Sequence, residues 1–184
     1  NPVGSYDRGP KFDFPTIPRE EWSSRIKDMV QSESRLSDIR MTAGPDGKHI
    51  PSRDQNGKGY CWIHSGTSAL LLLRAYAGLP YADLSAYAGA CVIKNYRDEG
   101  GWGAQGLDFI CDKGIPSSQF WPQKSMSRAN DNPATWENAK LHRVSEGFWD
   151  MEAAQYDRKL SFDQFFTCLL LRIPVICDYN WWGH

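Results

Sequence analysis

A long apolar segment that begins at Cys61 most constrains the fold of this chain. Four consecutive leucines, at positions 70 to 73, make the segment apolar on nearly every side. Gly78 and Pro80 follow it, and both residues are typical of the region just beyond a helix end. A helix that is apolar all round has to be buried. The sequence therefore predicts a buried helix from about Cys61 to Ala77.

Weaker signals predict three further helices and one strand. Apolar residues recur at helical spacing over 19–40 and favour a helix with one apolar face. A second helix is expected over 104–113. The pair Ser161 and Gln164 forms a capping-box pattern that opens a third. Residues 175–179 resemble a strand, and helices followed by a strand favour an α+β fold. The remaining stretches are interpreted as mostly loop: 1–18, 42–60 and 115–147.

Composition and charge exclude several classes of function. The net charge of −1 gives no electrostatic basis for binding nucleic acid or an anionic membrane. No apolar run approaches the roughly 20 residues that a membrane-spanning helix needs. The five cysteines form no C-x-x-C pair, so no metal site is expected, and their scatter favours free thiols in a reducing compartment.

The residues around Cys61 are suited to thiol chemistry. Cys61 follows a glycine-rich loop and starts the predicted helix, and the N–H groups and dipole of a helix N-terminus stabilise a thiolate. Gly57 and Gly59 let backbone come close to a ligand. The side-chain amide of Gln55, six residues before Cys61, is placed to meet an oxyanion beside the sulfur. A reactive thiolate also needs a proton acceptor, usually a histidine.

The stretch from Gln55 to Trp62 resembles the active-site signature of the papain-like cysteine peptidases. In that family a Gln lies six positions before the nucleophilic Cys and donates to the oxyanion hole. The Cys begins a long buried helix and is followed by Trp. The resemblance implies that Cys61 is the nucleophile and that Gln55 is the oxyanion donor, with Gly59 and Trp62 at the substrate site.

Further landmarks follow in the order that the family has them. The segment Gly100, Gly101, Trp102 resembles the Gly-Gly-aromatic segment that lines the substrate cleft. A strand then leads to His184, which the resemblance implies is the catalytic base, whereas His64 is expected to be structural. The implied substrate is a peptide or protein, and no metal or cofactor is required. The weaker matches are Leu84-Ser85, Gly114-Ile115, Phe120-Trp121-Pro122 and Pro174-Val175.

The resemblance also implies a fold and a domain organisation. The expected fold is the α+β, two-lobe papain-like fold, with a helical left lobe and a partial β right lobe. Residues 51–184 would form a peptidase domain truncated after His184, because the family's catalytic Asn and remaining strands come later. Residues 1–50 would be an N-terminal extension, with 1–40 a candidate surface for an assembly partner. Lys58 replaces a disulfide-bonded Cys of the family, and no signal peptide is visible, so a cytoplasmic or virion-associated protein is expected.

Two other functions compete with the peptidase. A transglutaminase-type acyltransferase also carries Cys-Trp at a helix start, but Gln55 and the Gly-Gly-Trp segment favour the peptidase. Alternatively, the fold serves as a structural or assembly component, for example of a virus or phage particle. The presence of Gln55, Cys61 and His184 together argues against a purely structural role.

Overall fold

The described part of the chain is mostly helical. A computed structural model describes residues 15–144 and 161–177. The described residues fall into two compact units, the first formed by 15–52, 71–81 and 161–175 and the second by 53–70, 82–144 and 176–177. The α-helices of the described chain are α1 (Arg19–Gln31), α2 (Leu36–Thr42), α3 (Cys61–Tyr76), α4 (Ala86–Ile93), α5 (Gly103–Asp112), α6 (Pro133–Lys140) and α7 (Phe162–Leu170).

The predicted helix is confirmed as α3, which begins at Cys61 and ends at Tyr76, but its burial is partial because residues 72–75 are half-buried and Tyr76 is exposed. Leu70 and Leu71 on this helix are almost fully buried. Gly78 has a φ of +72° and closes the helix, as expected for a glycine just past a helix end. None of the helices that the structure describes is long and apolar enough to cross a membrane.

The first unit is held together by contacts between α1 and α7. The indole of Trp22 packs against Phe166 in a tilted arrangement with ring centroids 4.4 Å apart, and its centroid lies 5.9 Å from that of Phe162. The predicted capping box is present, because Ser161 and Gln164 each bind the other's backbone N–H. α7 therefore begins where the sequence predicted, and its aromatic face packs on α1.

The sequence predicts one helix over 19–40, and this prediction is wrong in one respect: the structure has two helices there. α1 ends at Gln31, and α2 starts at Leu36. Between them Glu33 adopts a φ of +48°, which breaks the helix. This connection is polar, so no apolar contact holds it in helical conformation.

The prediction of an α+β fold with a partial β right lobe is wrong for the described chain. That part contains no sheet, and its only strand-type pairing is an isolated bridge between Leu84 and Ser117. Of the predicted strand, residues 175–177 are not in a strand, and 178–179 lie outside the described residues. Val175 and Ile176 favour extended backbone. A strand also needs a neighbour to satisfy its N–H and C=O groups, and no described segment pairs with this one.

Two helices were missed in the sequence, and one predicted helix is confirmed. α5 matches the helix predicted over 104–113. α6 lies within a stretch interpreted as mostly loop; Asn132 caps its start and Pro133 occupies the first turn. α4 is apolar throughout, so it shows no helical periodicity in the sequence.

The proposed boundary between an N-terminal extension and a peptidase domain at residue 50 stays a prediction.

A buried hydrogen bond should hold the start of the first unit to α7. The Ile17 N–H donates to Oγ1 of Thr167 at 3.0 Å, and Thr167 is fully buried. We expect Thr167→Val, which keeps the shape but leaves this N–H unpaired, to lower the free energy of unfolding by about 1–3 kcal/mol. Thr167→Ser, which keeps the hydroxyl, is the matched control. In urea denaturation the valine variant should be the less stable of the two; the reverse order would contradict this role.

Candidate active site

Cys61 is exposed, whereas the residues on either side of it are buried. Tyr60 has 0% of its surface exposed and Trp62 has 2%. Because these two aromatic side chains point into the second unit, the thiol between them points to solvent. Cys61 is also the first residue of α3, where the N–H groups of Ile63 and His64 share the Tyr60 carbonyl oxygen and the earlier N–H groups have no helical carbonyl to reach. The thiol therefore lies at the positive end of a helix dipole.

Both buried aromatic side chains are tied to the same distant segment, residues 97–101. The hydroxyl of Tyr60 donates to the carbonyl oxygen of Arg97 at 3.0 Å. Nε1 of Trp62 donates to the carbonyl oxygen of Glu99 at 3.4 Å. Buried Tyr and Trp need such partners for their polar atoms. Two bonds to one segment thus fix the residues before and after Cys61.

Asp98 provides a third link between this segment and the loop before α3. Its Oδ1 accepts the Gly59 N–H at 2.8 Å, and its Oδ2 lies 3.3 Å from Nζ of Lys58. The bond from Gly59 has the largest effect and lowers the pKa of Asp98; burial opposes it, and Lys58 lowers the pKa further. No local pattern in the sequence predicts this pairing, because Asp98 lies 39 residues from Gly59.

The structure places the two predicted cleft glycines beside the loop that leads to Cys61. A Cβ built on Gly59 would lie 3.2 Å from the Gly100 nitrogen, so the two backbones are in contact. A Cβ on Gly101 would lie only 2.6 Å from the Trp62 ring. Gly100 itself is exposed. Trp102 is half-buried and directly precedes α5. The predicted substrate-binding residues Gly59, Trp62, Gly100 and Gly101 are therefore brought together.

Gln55 opens a tight turn. Its carbonyl oxygen accepts the Lys58 N–H at 3.1 Å, and the two residues between them, Asn56 and Gly57, have φ values of +54° and +67°. The same carbonyl accepts a second hydrogen bond, at 2.9 Å, from the hydroxyl of Tyr87 on α4. Within the described chain the side-chain amide of Gln55 makes no hydrogen bond. The backbone of Gln55 is thus fixed while its amide stays available.

The predicted base, His184, lies outside the described residues, so its pairing with Cys61 stays a prediction. His64, one turn after Cys61 in α3, has both ring nitrogens buried without a hydrogen-bond partner among the described residues. Its ring meets Tyr87 edge-on at 6.0 Å. Burial lowers the pKa of His64; the positive charge of Arg53 adds to this, and Asp54 opposes it. No group of side chains in the described ranges could hold a metal ion.

The close contact between Gly101 and Trp62 predicts a site-specific loss of stability. We expect Gly101→Ala to displace the Trp62 ring and lower the free energy of unfolding by about 1–3 kcal/mol, the usual cost of overpacking. The control is Gly100→Ala, whose added Cβ would meet nothing within 4 Å. Urea denaturation of both variants measures the difference. Equal losses would show that Trp62 does not depend on the space above Gly101.

The buried imidazole predicts a pH dependence of stability. The folded state lowers the pKa of His64, so the unfolded state takes up the proton more readily. Stability should therefore fall as the pH drops below the unfolded pKa of about 6.5. We expect His64→Gln to reduce the loss of Tm between about pH 7.5 and pH 5.5. The same change at the exposed His49 should leave that loss in place. An identical pH profile for His64→Gln and the unsubstituted chain would refute this.

Similarity to known proteins does not identify this chain. No family model, curated protein sequence or solved structure matches it. A function therefore has to be inferred from the arrangement of Gln55, Cys61 and the 97–101 segment in the second unit, together with the resemblance of short motifs.

Proposed function

We propose that this chain is a cysteine peptidase with Cys61 as its nucleophile. The observation that carries the proposal is the exposed thiol at the N-terminus of a partly buried helix, held between two buried aromatic residues that bind one neighbouring segment. A thiol that is only structural is usually buried, as Cys91 is. An exposed thiol at a helix N-terminus is instead suited to forming a thiolate.

In the proposed reaction the Cys61 thiolate attacks a peptide carbonyl carbon. A carbon–sulfur bond forms and the carbonyl oxygen becomes an oxyanion, which the Cys61 N–H and the Gln55 amide would stabilise. His184, which would carry the proton taken from the Cys61 thiol, would then protonate the leaving amine as the C–N bond breaks, giving a thioester. The same histidine would deprotonate a water that attacks the thioester carbon, and the C–S bond would break to release the acid and return the thiolate. The reaction needs no cofactor.

The glycines beside Cys61 support a peptide as the substrate class. Gly59 and Gly100 are in backbone contact, and Gly100 is exposed with open space where a side chain would be. An extended peptide could therefore approach the backbone here without meeting a side chain. The exposed backbone of Gly100 offers an N–H and a C=O group for pairing with the peptide, whereas the Gly59 N–H is already donated to Asp98.

A structural or assembly role is the second candidate. In the described chain Ile26 and Val30 of α1 remain 40% and 45% exposed. These residues lie in the part of the chain, 1–40, that the sequence predicts as a partner surface, and exposed apolar side chains on one helix favour a protein partner. A cytoplasmic or virion-associated location accords with either role and remains part of the proposal. A particle component that retains a working thiol site would combine both functions.

Labelling with an epoxysuccinyl peptide inhibitor of the E-64 type tests the peptidase. Cys61 and Cys177 are both exposed, whereas Cys91 and Cys168 are buried, and burial raises the pKa of Cys91 to about 11. We expect the epoxide to modify Cys61 selectively, whereas iodoacetamide should modify Cys61 and Cys177 alike. Peptide mapping by mass spectrometry measures both. Because a general base contributes about 10²–10⁴-fold, His184→Ala should slow the epoxide reaction by at least about 10²-fold.

Two variants make this labelling decisive. Cys61→Ala should abolish epoxide labelling, and Cys177→Ala should leave it intact while removing one iodoacetamide adduct. Cys177 thus serves as an exposed thiol outside the proposed site. If the epoxide labels Cys61 and Cys177 at equal rates, Cys61 has no activated thiolate and the hydrolase proposal fails.

A further inference from the structure

The structure joins the proposed oxyanion donor and the nucleophile through one buried side chain, Tyr87. Tyr87 lies on α4 and is fully buried. Its hydroxyl donates to the carbonyl oxygen of Gln55 at 2.9 Å. Its ring meets Tyr60, the residue before Cys61, edge-on at 5.3 Å and 83°. We propose that Tyr87 is a positioning residue that holds Gln55 in register with Cys61; this inference rests on the proposed function.

The bond from Tyr87 fixes the backbone of Gln55 at the start of its turn. The Gln55 carbonyl oxygen accepts from both the Lys58 N–H and the Tyr87 hydroxyl, so the orientation of this peptide plane is set from two directions. The side-chain amide leaves the same residue and has no competing hydrogen bond within the described chain. An oxyanion donor is most effective when it is oriented before the reaction, because no reorganisation is then needed.

The two residues before Gln55 are held by ion pairs of their own. Arg53 forms an ion pair with Asp83, and Asp54 pairs with Lys124 at 2.7 Å. These exposed or partly exposed pairs keep the segment in place but do not touch Gln55. The Tyr87 hydroxyl is the one side-chain group of the described chain that binds Gln55 directly.

Every buried tyrosine needs a hydrogen-bond acceptor for its hydroxyl, so the identity of the acceptor shows which part of the site the tyrosine holds. Tyr60 and Tyr87 form a natural comparison, since both rings are fully buried and they pack against each other. The Tyr60 hydroxyl donates to the carbonyl oxygen of Arg97, in the 97–101 segment, and the Tyr87 hydroxyl donates to that of Gln55. Removing either hydroxyl deletes one atom and the hydrogen bond that it donates; the Tyr87 hydroxyl also interacts with the side chain of Asn56, the residue after Gln55. Only removal at Tyr87 should act through the oxyanion donor.

Two small reagents distinguish oxyanion stabilisation by Gln55 from the accessibility of the Cys61 thiol. With p-nitrophenyl acetate, the Cys61 sulfur attacks the ester carbon, an oxyanion forms, and expulsion of p-nitrophenolate leaves a thioester. With iodoacetamide, the sulfur displaces iodide and no oxyanion forms. The ratio of the acylation rate to the alkylation rate at Cys61, read by peptide mapping, therefore reports oxyanion stabilisation. Reaction at Cys177 provides the reference ratio for an unassisted thiol.

We expect Gln55→Ala to lower this ratio by about 10²-fold, as loss of an oxyanion donor does. Tyr87→Phe should lower it by about three- to tenfold, the equivalent of one hydrogen bond. In a Gln55→Ala background, Tyr87→Phe should have no further effect. Tyr60→Phe is the matched control, and any change that it causes should be the same in both backgrounds. Tm values for all variants confirm that they fold.

The outcomes distinguish failure of this inference from failure of the proposed function. If Tyr87→Phe leaves the ratio unchanged, or lowers it equally with and without Gln55, the hydroxyl has only a structural role and the inference is wrong. If the ratio at Cys61 equals that at Cys177 in the unsubstituted protein, no oxyanion site exists. The proposed function then fails, and the inference fails with it.

Discussion

The carboxylate of Asp98 joins two stretches of chain that lie 39 residues apart, and the geometry at Cys61 depends on it. One oxygen accepts the Gly59 N–H and the other pairs with Lys58. A charge-assisted bond to a carboxylate is stronger than a neutral one, whereas an exposed ion pair alone contributes little. The bond from Gly59 is therefore the essential part. It fixes the loop just before α3 and thereby the orientation of Cys61 at the start of the helix.

This link has a chemical consequence at position 58, where the papain-like peptidases that the motif resembles carry a disulfide-bonded Cys. Here the connection is electrostatic, so it survives in a reducing environment. It requires Asp98 to be ionised. Because the folded state lowers the pKa of Asp98, the stabilisation is present above the unfolded pKa of about 3.9 and is lost only as the pH falls through the lower folded value. The site is therefore held together at neutral and mildly acidic pH.

Local sequence signals predicted the elements that local interactions stabilise. They failed for features that depend on contacts with residues far away in the sequence. The helix from Cys61 and the capping box at Ser161 are encoded within a few residues and were found. α4 was missed because it is buried on all sides and shows no period. The predicted strand is wrong over its described residues, 175–177, because a strand depends on a neighbour that the sequence does not reveal. Asp98 and Tyr87 were missed for the same reason, since their partners lie more than thirty residues away.

The six-residue spacing between Gln55 and Cys61 has a physical basis in this arrangement. The chain reverses over residues 55–58, and only two residues then separate the turn from the helix start. Each end of this short connection is tied down elsewhere, Gln55 by Tyr87 and Gly59 by Asp98. One residue more or less would break one of these two contacts or rotate Cys61 off the exposed face of α3. The six-residue spacing therefore positions Gln55 relative to Cys61 only because Tyr87 and Asp98 hold the two ends of the connection.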